Sequence, residues 1–323
     1  MFTYVNFFMV RQGRTSYTIK CRGVIYQFRK PEHELKLNLI DQARIIYGSF
    51  VPATPKQYKL GPFFVYRLPD ATTNAVLYES TRVVVESRTD YACCELRGAL
   101  RGLAKFFAAG INNKPGDLKA RAGLQDEYKV KLLKLKNQCP KRFHGHIDRT
   151  TEAIKVLFED RGENTWPMVV GNLGISPRNT LREDRGGTNG PRRHSPDLVG
   201  FFNWNRVDVC PFGISEACIE LFLGHRDPKT RKWRLCYKYA NLKKYFEKEL
   251  TELMHWQWDE QRMTVAVELG QLLHMLYLVD HGPQRVATGA KDLKDTDPLW
   301  DYLDKATFGV GMTDEELGLP VDK

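Results

Sequence analysis

The stretch LVGFFNWNRVDVCPFGISEACIELFLGHRDPKTRKWRLCYKY, residues 198–239, decides how the C-terminal half of this chain is interpreted. β-Branched and aromatic residues recur in it at strand-like spacing, over 198–213 and again over 232–239. Between them, RDPKT at 226–230 has the aspartate and proline that favour a tight turn. The sequence therefore predicts a β-hairpin over 221–239 with this turn at its tip.

The predicted hairpin is also where the sequence most clearly suggests chemistry. Lys229, Arg231, Lys232 and Arg234 could neutralise a triphosphate, and arginine binds phosphate through paired hydrogen bonds. His225 beside them could act as nucleophile or proton donor in phosphoryl transfer. A solvated hairpin would show the same residues, so the residues alone leave both interpretations open. The chain has no Walker loop and no Rossmann glycine fingerprint, so side-chain cations would have to hold any nucleotide.

Helices and loops are predicted on both sides of this stretch. Residues 240–280 have a helical pattern that includes a buried helix over 264–279, and an acidic, loosely packed tail follows Pro283. Upstream, residues 176–196 (SPRNTLREDRGGTNGPRRHSP) are rich in Gly, Pro and Arg. We interpret them as either a flexible loop that contacts phosphate or a disordered insertion.

The N-terminal half mixes strand and helix patterns. Residues 15–28 are β-rich, residues 32–48 place apolar side chains at helical spacing, and residues 49–62 form a proline-marked loop. The clearest helix covers 89–109 and ends before Gly110. Its buried stripe is formed by Leu96, Leu100, Leu103 and Phe107, while another face carries Arg97, Arg101 and Lys105. Cations at this spacing repel one another, so they fit either an anion lying across them or a solvated face.

Charge and cysteine content narrow the class of protein. The net charge is +10, with +14 over residues 1–150, +4 over 151–250 and −8 over 251–323. A basic body of this kind suggests a polyanionic partner such as nucleic acid or a nucleotide. Seven cysteines without paired spacing favour a reducing compartment, and the apolar stretches are too short to cross a bilayer. We therefore expect a cytoplasmic protein without a membrane partner.

Several motifs, taken in their order along the chain, resemble one family. They are TIKC (18–21), IIYGSFVPATPKQYK (45–59), Asp90–Leu103, NRVDVCPFGIS (205–215), WRLCYKYAN (233–241) and HWQWDEQRMTVAVELGQLLHMLYLV (255–279). Together they resemble the rotavirus non-structural protein 2 family, the RNA-binding nucleoside triphosphatases of viral replication factories, over roughly residues 18–280.

This resemblance implies an α+β fold. A mainly helical N-terminal domain would cover 1–150, and a histidine-triad-like α/β domain would cover 151–282 across a cleft, with the acidic tail at 283–323. It also implies a homo-octamer in the viroplasms of the host cytoplasm. There the protein would bind single-stranded RNA, destabilise RNA helices and hydrolyse nucleoside and RNA 5′-triphosphates with Mg²⁺, supporting genome replication and packaging. Its partners would be a viral phosphoprotein and the viral RNA polymerase.

The resemblance assigns roles to individual residues. His225 would be catalytic, and no side chain is assigned to a metal. The nucleotide phosphates would contact Arg101, Arg206, Lys229, Arg231, Lys232 and Arg234. The RNA would contact Arg97, Lys105, Lys129, Lys131, Lys134 and Lys136.

Two alternatives remain open, and the first follows from a departure from the family pattern. The family's histidine–glycine–lysine–glycine–histidine stretch is not intact, and Lys232 stands where its second, catalytic histidine would be. A scaffold that binds RNA without hydrolysis is therefore the first alternative. The second is a DNA strand-transfer enzyme similar to tyrosine recombinases, with Tyr237 as nucleophile.

Overall fold

The computed structural model describes residues 8–9, 16–21, 24–68, 75–77, 90–113, 118–183, 198–201, 203–227, 229–230, 232–257, 259–281, 300 and 302–303. Across these ranges the chain forms twelve strands and seven α-helices in two lobes. None of the helices in these ranges has the length and apolar content that crossing a membrane requires.

The first lobe is an antiparallel sheet with one helix. Its strands are β1 (Phe8–Met9), β2 (Tyr17–Cys21), β3 (Val24–Arg29), β4 (Lys56–Leu60) and β5 (Phe63–Leu68), in the spatial order β1-β2-β3-β5-β4. Gln27 pairs with Tyr66, and Arg29 pairs with Phe64, so these four side chains share one face. The Tyr66 hydroxyl accepts the amide N–H of Leu35 at 3.0 Å. This face of the sheet therefore lies toward helix α1 (Leu37–Tyr47), which follows Leu35.

Helix α1 connects the first lobe to the second. Ile40, Ala43, Ile46 and Tyr47 are buried at helical spacing, and Gly48 ends the helix with φ 58°, a conformation that glycine adopts readily. The ring of Tyr47 stacks on Phe106 with centroids 4.2 Å apart.

The strands of the second lobe form three small sheets. Strands β6 (Ala75–Leu77), β8 (Thr180–Glu183) and β9 (Leu198–Phe201) associate in the order β6-β8-β9. Strand β7 (Met168–Asn172) pairs antiparallel with β10 (Val207–Pro211), and β11 (Gly224–Arg226) pairs with β12 (Trp233–Leu235). The last pair confirms the hairpin predicted around residues 226–230.

Helices make up most of the second lobe. They are α2 (Asp90–Asn112), α3 (Leu124–Lys136), α4 (His144–Ala153), α5 (Ile219–Phe222), α6 (Tyr239–Leu253) and α7 (Glu260–His281). Helix α2 packs along α6, and α7 packs against α3, α4 and residues 215–218. The segment between α6 and α7 divides the helical region predicted over 240–280 into two helices.

The architecture predicted from the resemblance is wrong. The N-terminal domain was expected to be mainly helical, yet residues 8–68 contribute five strands and one α-helix among those described. The C-terminal half was expected to be a histidine-triad-like α/β domain, yet its described strands form sheets of two or three strands between helices. The reason is that apolar strand patterns such as 63–68 pair with β3, about forty residues upstream.

The acidic tail predicted after Pro283 is at least partly packed. Trp300, Tyr302 and Leu303 are buried. The Trp300 ring lies 5.9 Å from that of Phe143, and the Tyr302 ring lies 5.0 Å from that of Trp233. These apolar side chains bury this short part of the segment in the core despite the acidic residues around it.

Candidate functional site

The loop between β7 and β8 is held by its own asparagine side chains. Asn172, the last residue of β7, accepts the amide N–H of Gly174 on Oδ1 at 2.8 Å. Asn179 fixes the same loop from its other end and donates from Nδ2 to the carbonyl oxygen of Gly174 at 2.8 Å. Short amide side chains that bond nearby backbone favour turns over regular structure. This sequence therefore ends the strand in a well-defined loop.

A second loop, Asn203–Arg206, lies against the first. The Asn172 side chain donates from Nδ2 to the carbonyl oxygen of Asn203 at 2.8 Å. The amide N–H of Leu173 donates to the carbonyl oxygen of Arg206 at 3.3 Å, and Nη1 of Arg206 donates to the carbonyl oxygen of Leu173 at 2.8 Å. The two loops meet at one end of the β7–β10 pair because these strands are antiparallel neighbours. We call Asn172–Asn179 and Asn203–Arg206 together the asparagine loops.

The asparagine loops contain neither aspartate nor glutamate. At Gly174 a Cβ atom would lie 3.0 Å from Oδ1 of Asn172 and 3.3 Å from the carbonyl oxygen of Asn203, so this position faces both loops. Asp208 follows on β10, and its carboxylate pairs with Lys36 at 3.1 Å and Arg121 at 3.9 Å. The loops themselves therefore supply neutral amides, backbone groups and cations.

Arg206, the last residue of these loops, is a half-buried cation. Its guanidinium carbon lies 4.1 Å from the centre of the Tyr277 ring on α7, in a cation–π contact. Burial lowers the pKa of Arg206 to about 10, so the group remains charged at neutral pH. His274, one turn earlier on α7, is neutral at that pH because burial, followed by the charge of Arg206, lowers its pKa to about 3. Among the described residues no carboxylate forms an ion pair with Arg206.

The first lobe contributes a second cation, and this one is buried. Arg29 on β3 is 3% exposed and donates from Nη2 to Oε1 of Gln27 at 3.1 Å. Burial lowers its pKa to about 10, while Tyr66 and Tyr277 act in the opposite direction. Tyr277 is therefore within electrostatic reach of both Arg29 and Arg206. A small pocket with room for about one water molecule lies beside Arg29, lined by Gln27, Arg29, Leu35, Ile40, Pro52, Pro55 and Trp204.

Magnesium, which the family resemblance implied as cofactor, does not fit this donor set. Mg²⁺ in phosphoryl-transfer sites is held through one or two carboxylates together with phosphate oxygens. The asparagine loops offer the neutral amide oxygens of residues such as Asn179 and Asn203. In the part of the chain that the structure describes, His, Cys, Asp and Glu side chains form no group of three or more suited to a metal ion.

The hairpin proposed for chemistry is a folded β11–β12 unit. His225 is 8% exposed and stands opposite Arg234 in the strand register. Asp227 organises the turn, because it accepts the amide N–H groups of Lys229 and Thr230 and pairs with Arg234 at 2.9 Å. Hydrogen bonds from these backbone amides, with Arg234 as a smaller cause, lower the pKa of Asp227. Thus His225 is buried and Arg234 has a carboxylate partner within its own hairpin.

The three other nucleotide candidates of the hairpin have no described contact that points to a ligand. Lys229 and Lys232 are exposed, and Arg231 lies outside the described residues. Arg206 differs from all of these because the structure places it in contact with the asparagine loops.

The cation stripe on α2 faces α6. Arg101 donates from Nη2 to the hydroxyl of Tyr245 at 2.9 Å and forms an ion pair with Glu249 at 3.4 Å. The Arg97 guanidinium lies 5.6 Å from the centre of the same tyrosine ring, and Lys105 is exposed. These arginines therefore contribute to the contact between two helices.

The lysines of α3 have carboxylate partners. Two of these pairs lie within α3, one joins α3 to α4, and one joins α3 to α7. The pairs are Lys129–Asp126 at 3.4 Å, Lys131–Glu127 at 2.5 Å, Lys134–Asp280 at 2.6 Å and Lys136–Asp148 at 2.6 Å. Much of the positive charge counted in the sequence is thus balanced locally.

Apart from Arg206, the residues of the asparagine loops were not recognised from the sequence. Asn172, Gly174 and Asn203 carry no charge, and Asn179 lay in the segment interpreted as a flexible loop or an insertion. The available signal was the strand-turn-strand pattern around residues 168–183, in which amide residues mark both ends of the turn.

Comparison with known proteins identifies the fold. No protein-family model and no curated protein matches the sequence. The GDP complex of wild-type aminoglycoside 2′-phosphotransferase-IIIa is similar with a TM-score of 0.54 and 13% identity, covering 94% of this chain and 93% of that one. A choline/ethanolamine kinase family protein from Mesorhizobium loti gives 0.55 and 9%, covering 98% and 92%. A putative aminoglycoside phosphotransferase from Ralstonia eutropha gives 0.51 and 12%, covering 95% and 90%.

These similarities overturn the resemblance to the rotavirus protein. The viral RNA-binding triphosphatase function, the viroplasm, and the RNA, phosphoprotein and polymerase partners were inferred from that resemblance and are wrong with it. The motifs misled because short aromatic and cationic segments recur in unrelated folds, while the long-range strand pairing that defines this fold is not visible in them. The similar structures are phosphotransferases and kinases, but at 9–13% identity they show the fold, so the sequence-based expectation of phosphoryl-transfer chemistry stays a prediction.

The lobes of this chain, an antiparallel sheet with one helix and a larger helical region connected by helix α1, have the fold of the kinase-like phosphotransferases.

Proposed function

We propose that this chain is a nucleotide-binding protein of the kinase-like fold in which phosphoryl transfer is lost or very slow. The observation that carries the proposal is the absence of any carboxylate from the asparagine loops. Nucleotide binding is supported by the fold, and one of the similar structures is a GDP complex.

The spacing of residues 172–179 supports this proposal. The general signature of a kinase catalytic loop is His-Arg-Asp-Leu, three variable residues and Asn, in which Asp accepts the proton of the substrate hydroxyl. The segment NLGISPRN at 172–179 has the same length, with Ile175 in the leucine place and Asn179 at the end. In this register Gly174 stands where the aspartate would be. Position 174 therefore cannot provide a general base.

The second loop supports the same conclusion. Kinases bind metal through an aspartate in the loop that follows the next strand. Here Asn203 lies in that loop after β9, and its carbonyl oxygen accepts the bond from Asn172 at 2.8 Å. An amide is neutral and cannot replace a carboxylate as the principal Mg²⁺ ligand. A positioned base alone contributes about 10²- to 10⁴-fold to rate, so losing both groups predicts a very large loss of transfer.

An active phosphotransferase is the second candidate function. It is favoured by Asn179, which keeps its place in the signature, and by Arg206, since arginine stabilises charge in other phosphoryl-transfer sites. The two candidates differ in turnover, because both require nucleotide binding.

The test measures binding and transfer separately. Binding of ADP, ATP, GDP and GTP is followed by calorimetry. Transfer is measured from γ-labelled ATP to aminoglycosides, choline and ethanolamine. We expect binding of at least one nucleotide without labelled product. Catalytic turnover by the unaltered chain would establish the active enzyme instead, and absence of binding by all four nucleotides would overturn the proposal.

A gain-of-function variant sharpens this test. The double substitution Gly174→Asp with Asn203→Asp restores a carboxylate in each loop and is expected to raise transfer from background. The matched control is Asn38→Asp, at the exposed start of α1. Because a side chain at position 174 meets Asn172 at 3.0 Å, Asn203→Asp alone is also measured, with Mg²⁺ binding as its readout.

A further inference from the structure

The asparagine loops combine a poor metal site with a well-placed cation. Both amide atoms of Asn172 already bond within the loops, to Gly174 and to Asn203. Asn179 uses its Nδ2 atom on the carbonyl oxygen of Gly174. The remaining amide oxygens are neutral, so they would bind Mg²⁺ weakly. A ligand carrying phosphate would need its charge balanced in another way.

Arg206 is held in a fixed position. One hydrogen bond joins Nη1 to the carbonyl oxygen of Leu173, and the guanidinium carbon lies 4.1 Å from the centre of the Tyr277 ring. A preorganised guanidinium loses little freedom when it binds an anion, and its remaining N–H groups match phosphate oxygens well.

The electrostatic surroundings of Arg206 leave its charge uncompensated within the described residues. The titratable groups near it on α7 are Tyr277 and His274, and burial keeps His274 neutral at pH 7 by lowering its pKa to about 3. A charge that is partly removed from water is normally paired or bound to a ligand, because its lost hydration is costly. Arg29 adds positive charge on the first-lobe side of Tyr277.

We infer that Arg206 takes the place of the divalent cation and binds a phosphate group of the nucleotide directly, so that nucleotide binding does not require Mg²⁺. This inference rests on the proposed function, because it assumes that the nucleotide binds at the asparagine loops. In this arrangement, the negative charge of a di- or triphosphate is neutralised by the Arg206 guanidinium, which the fold holds beside Leu173.

The experiment compares ADP and ATP binding in EDTA and in excess Mg²⁺ by calorimetry. We expect dissociation constants that agree within about threefold, since a direct charge-assisted hydrogen bond replaces the metal bridge. Arg206→Gln should weaken binding by about tenfold or more in both buffers. The control is Arg161→Gln, whose exposed guanidinium pairs with Glu159. Circular dichroism and the melting temperature establish that each variant is folded.

A second variant keeps the experiment decisive if Arg206→Gln does not fold. Asn203→Asp retains Arg206 and adds a carboxylate next to it in the same loop. We expect weaker ADP binding in EDTA, because the new carboxylate competes with phosphate for the guanidinium. Mg²⁺ should then restore binding, because the carboxylate supplies the metal ligand that the chain lacks.

The outcomes separate this inference from the proposed function. Nucleotide binding that disappears in EDTA would overturn the role of Arg206 and leave the proposed function intact. Unchanged binding by a folded Arg206→Gln variant would also overturn it. If Arg234→Gln weakens binding and Arg206→Gln does not, the phosphate lies at the β11–β12 hairpin instead. If the unaltered protein binds neither ADP nor ATP in either buffer, both this inference and the proposed function are wrong.

Discussion

At the scale of single residues, Glu216 is a buried carboxyl group directly beneath the asparagine loops. It follows Ser215, whose Oγ accepts the amide N–H of Asn172 at 3.0 Å. Burial raises the pKa of Glu216 from 4.5 to about 8, although hydrogen bonds from its own amide and that of Gly213 act in the opposite direction. Its Oε2 atom has no hydrogen-bond partner among the described residues. Glu216 is therefore protonated in the folded protein at neutral pH.

This raised pKa predicts how stability depends on pH. Between 4.5 and about 8 the unfolded chain has lost the Glu216 proton while the folded chain retains it, so the free energy of unfolding falls as pH rises. Below this range both states are protonated, and above it both are ionised, so the contribution is constant at either end. Glu216→Gln keeps the shape of the side chain and removes the proton. We expect this variant to lose that slope and to be more stable than the parent at pH 8.

Urea unfolding at several pH values between 4.5 and 8.5 measures this effect. The control is Glu163→Gln, since Glu163 is exposed and should leave the slope unchanged. An identical slope in the parent and in Glu216→Gln would show that the carboxyl group of Glu216 ionises normally in the folded protein.

Among single residues of the asparagine loops, the charged one could be predicted from the sequence, whereas the neutral asparagines could not. Arg206 was predicted to contact a nucleotide, and that role remains a prediction, although the structure now places its side chain on the loop carbonyl of Leu173. Asn172, Asn179 and Asn203 were missed because neutral amides resemble ordinary turn residues. Their significance depends on hydrogen bonds between segments about thirty residues apart.

At the scale of elements, helix α7 depends on a glycine for its close packing. A Cβ atom at Gly270 would lie 2.1 Å from the carbonyl oxygen of Ile214 and 2.8 Å from Cβ of Ala217. Gly270→Ala therefore forces α7 away from the segment 214–217. We expect it to lower the free energy of unfolding by about 1–3 kcal/mol, as overpacking of a core typically does.

A second helical glycine provides the matched control for this prediction. At Gly145 on α4 the nearest atom to an added Cβ would be Nη1 of Arg149, at 3.7 Å. Gly145→Ala should stabilise the protein by about 0.5–1 kcal/mol, because alanine has the higher helix propensity. Chemical denaturation of both variants measures the difference. Equal effects of the two substitutions would mean that α7 does not approach residues 214–217 as closely as the structure shows.

Elements with a strong local pattern could be predicted from the sequence. The helix predicted over 89–109 is α2, and the one predicted over 32–48 contains α1. The hairpin around residues 226–230 was also predicted correctly, since an aspartate that binds two backbone amides is a local feature. In contrast, the break between α6 and α7 was not predicted, because the helical pattern continues across it.

At the scale of the whole molecule, the topology depends on pairings between distant segments. Strand β6 at residues 75–77 pairs with β8 at 181–183, and β3 pairs with β5 across α1 and β4. No local pattern contains this information, which is why the architecture was inferred from a resemblance and inferred wrongly. The balance of charge also depends on contacts between distant segments. The basic first half is neutralised partly by pairs such as Lys134 with Asp280.

The core of the two lobes is continuous, and this predicts how the molecule unfolds. The hydroxyl of Tyr47, at the end of α1, donates to the carbonyl oxygen of Val170 on β7 at 2.8 Å. Phe50 lies 5.6 Å from Phe106 and 6.1 Å from Phe201, centre to centre, so aromatic rings from both lobes pack in one cluster. Because neither lobe retains its buried surface without the other, we expect a single cooperative unfolding transition.

Differential scanning calorimetry tests this expectation through the ratio of calorimetric to van't Hoff enthalpy. The ratio should be close to one, and Tyr47→Phe should shift the whole transition to lower temperature, because loss of the bond to Val170 costs about 1 kcal/mol. The control is Tyr58→Phe on β4, whose side chain is 49% exposed. Two transitions, only one of them shifted by Tyr47→Phe, would mean that the lobes fold independently. In that case nucleotide binding would raise the temperature of only one of the two transitions, because Arg206 and Leu173 both lie in the second lobe.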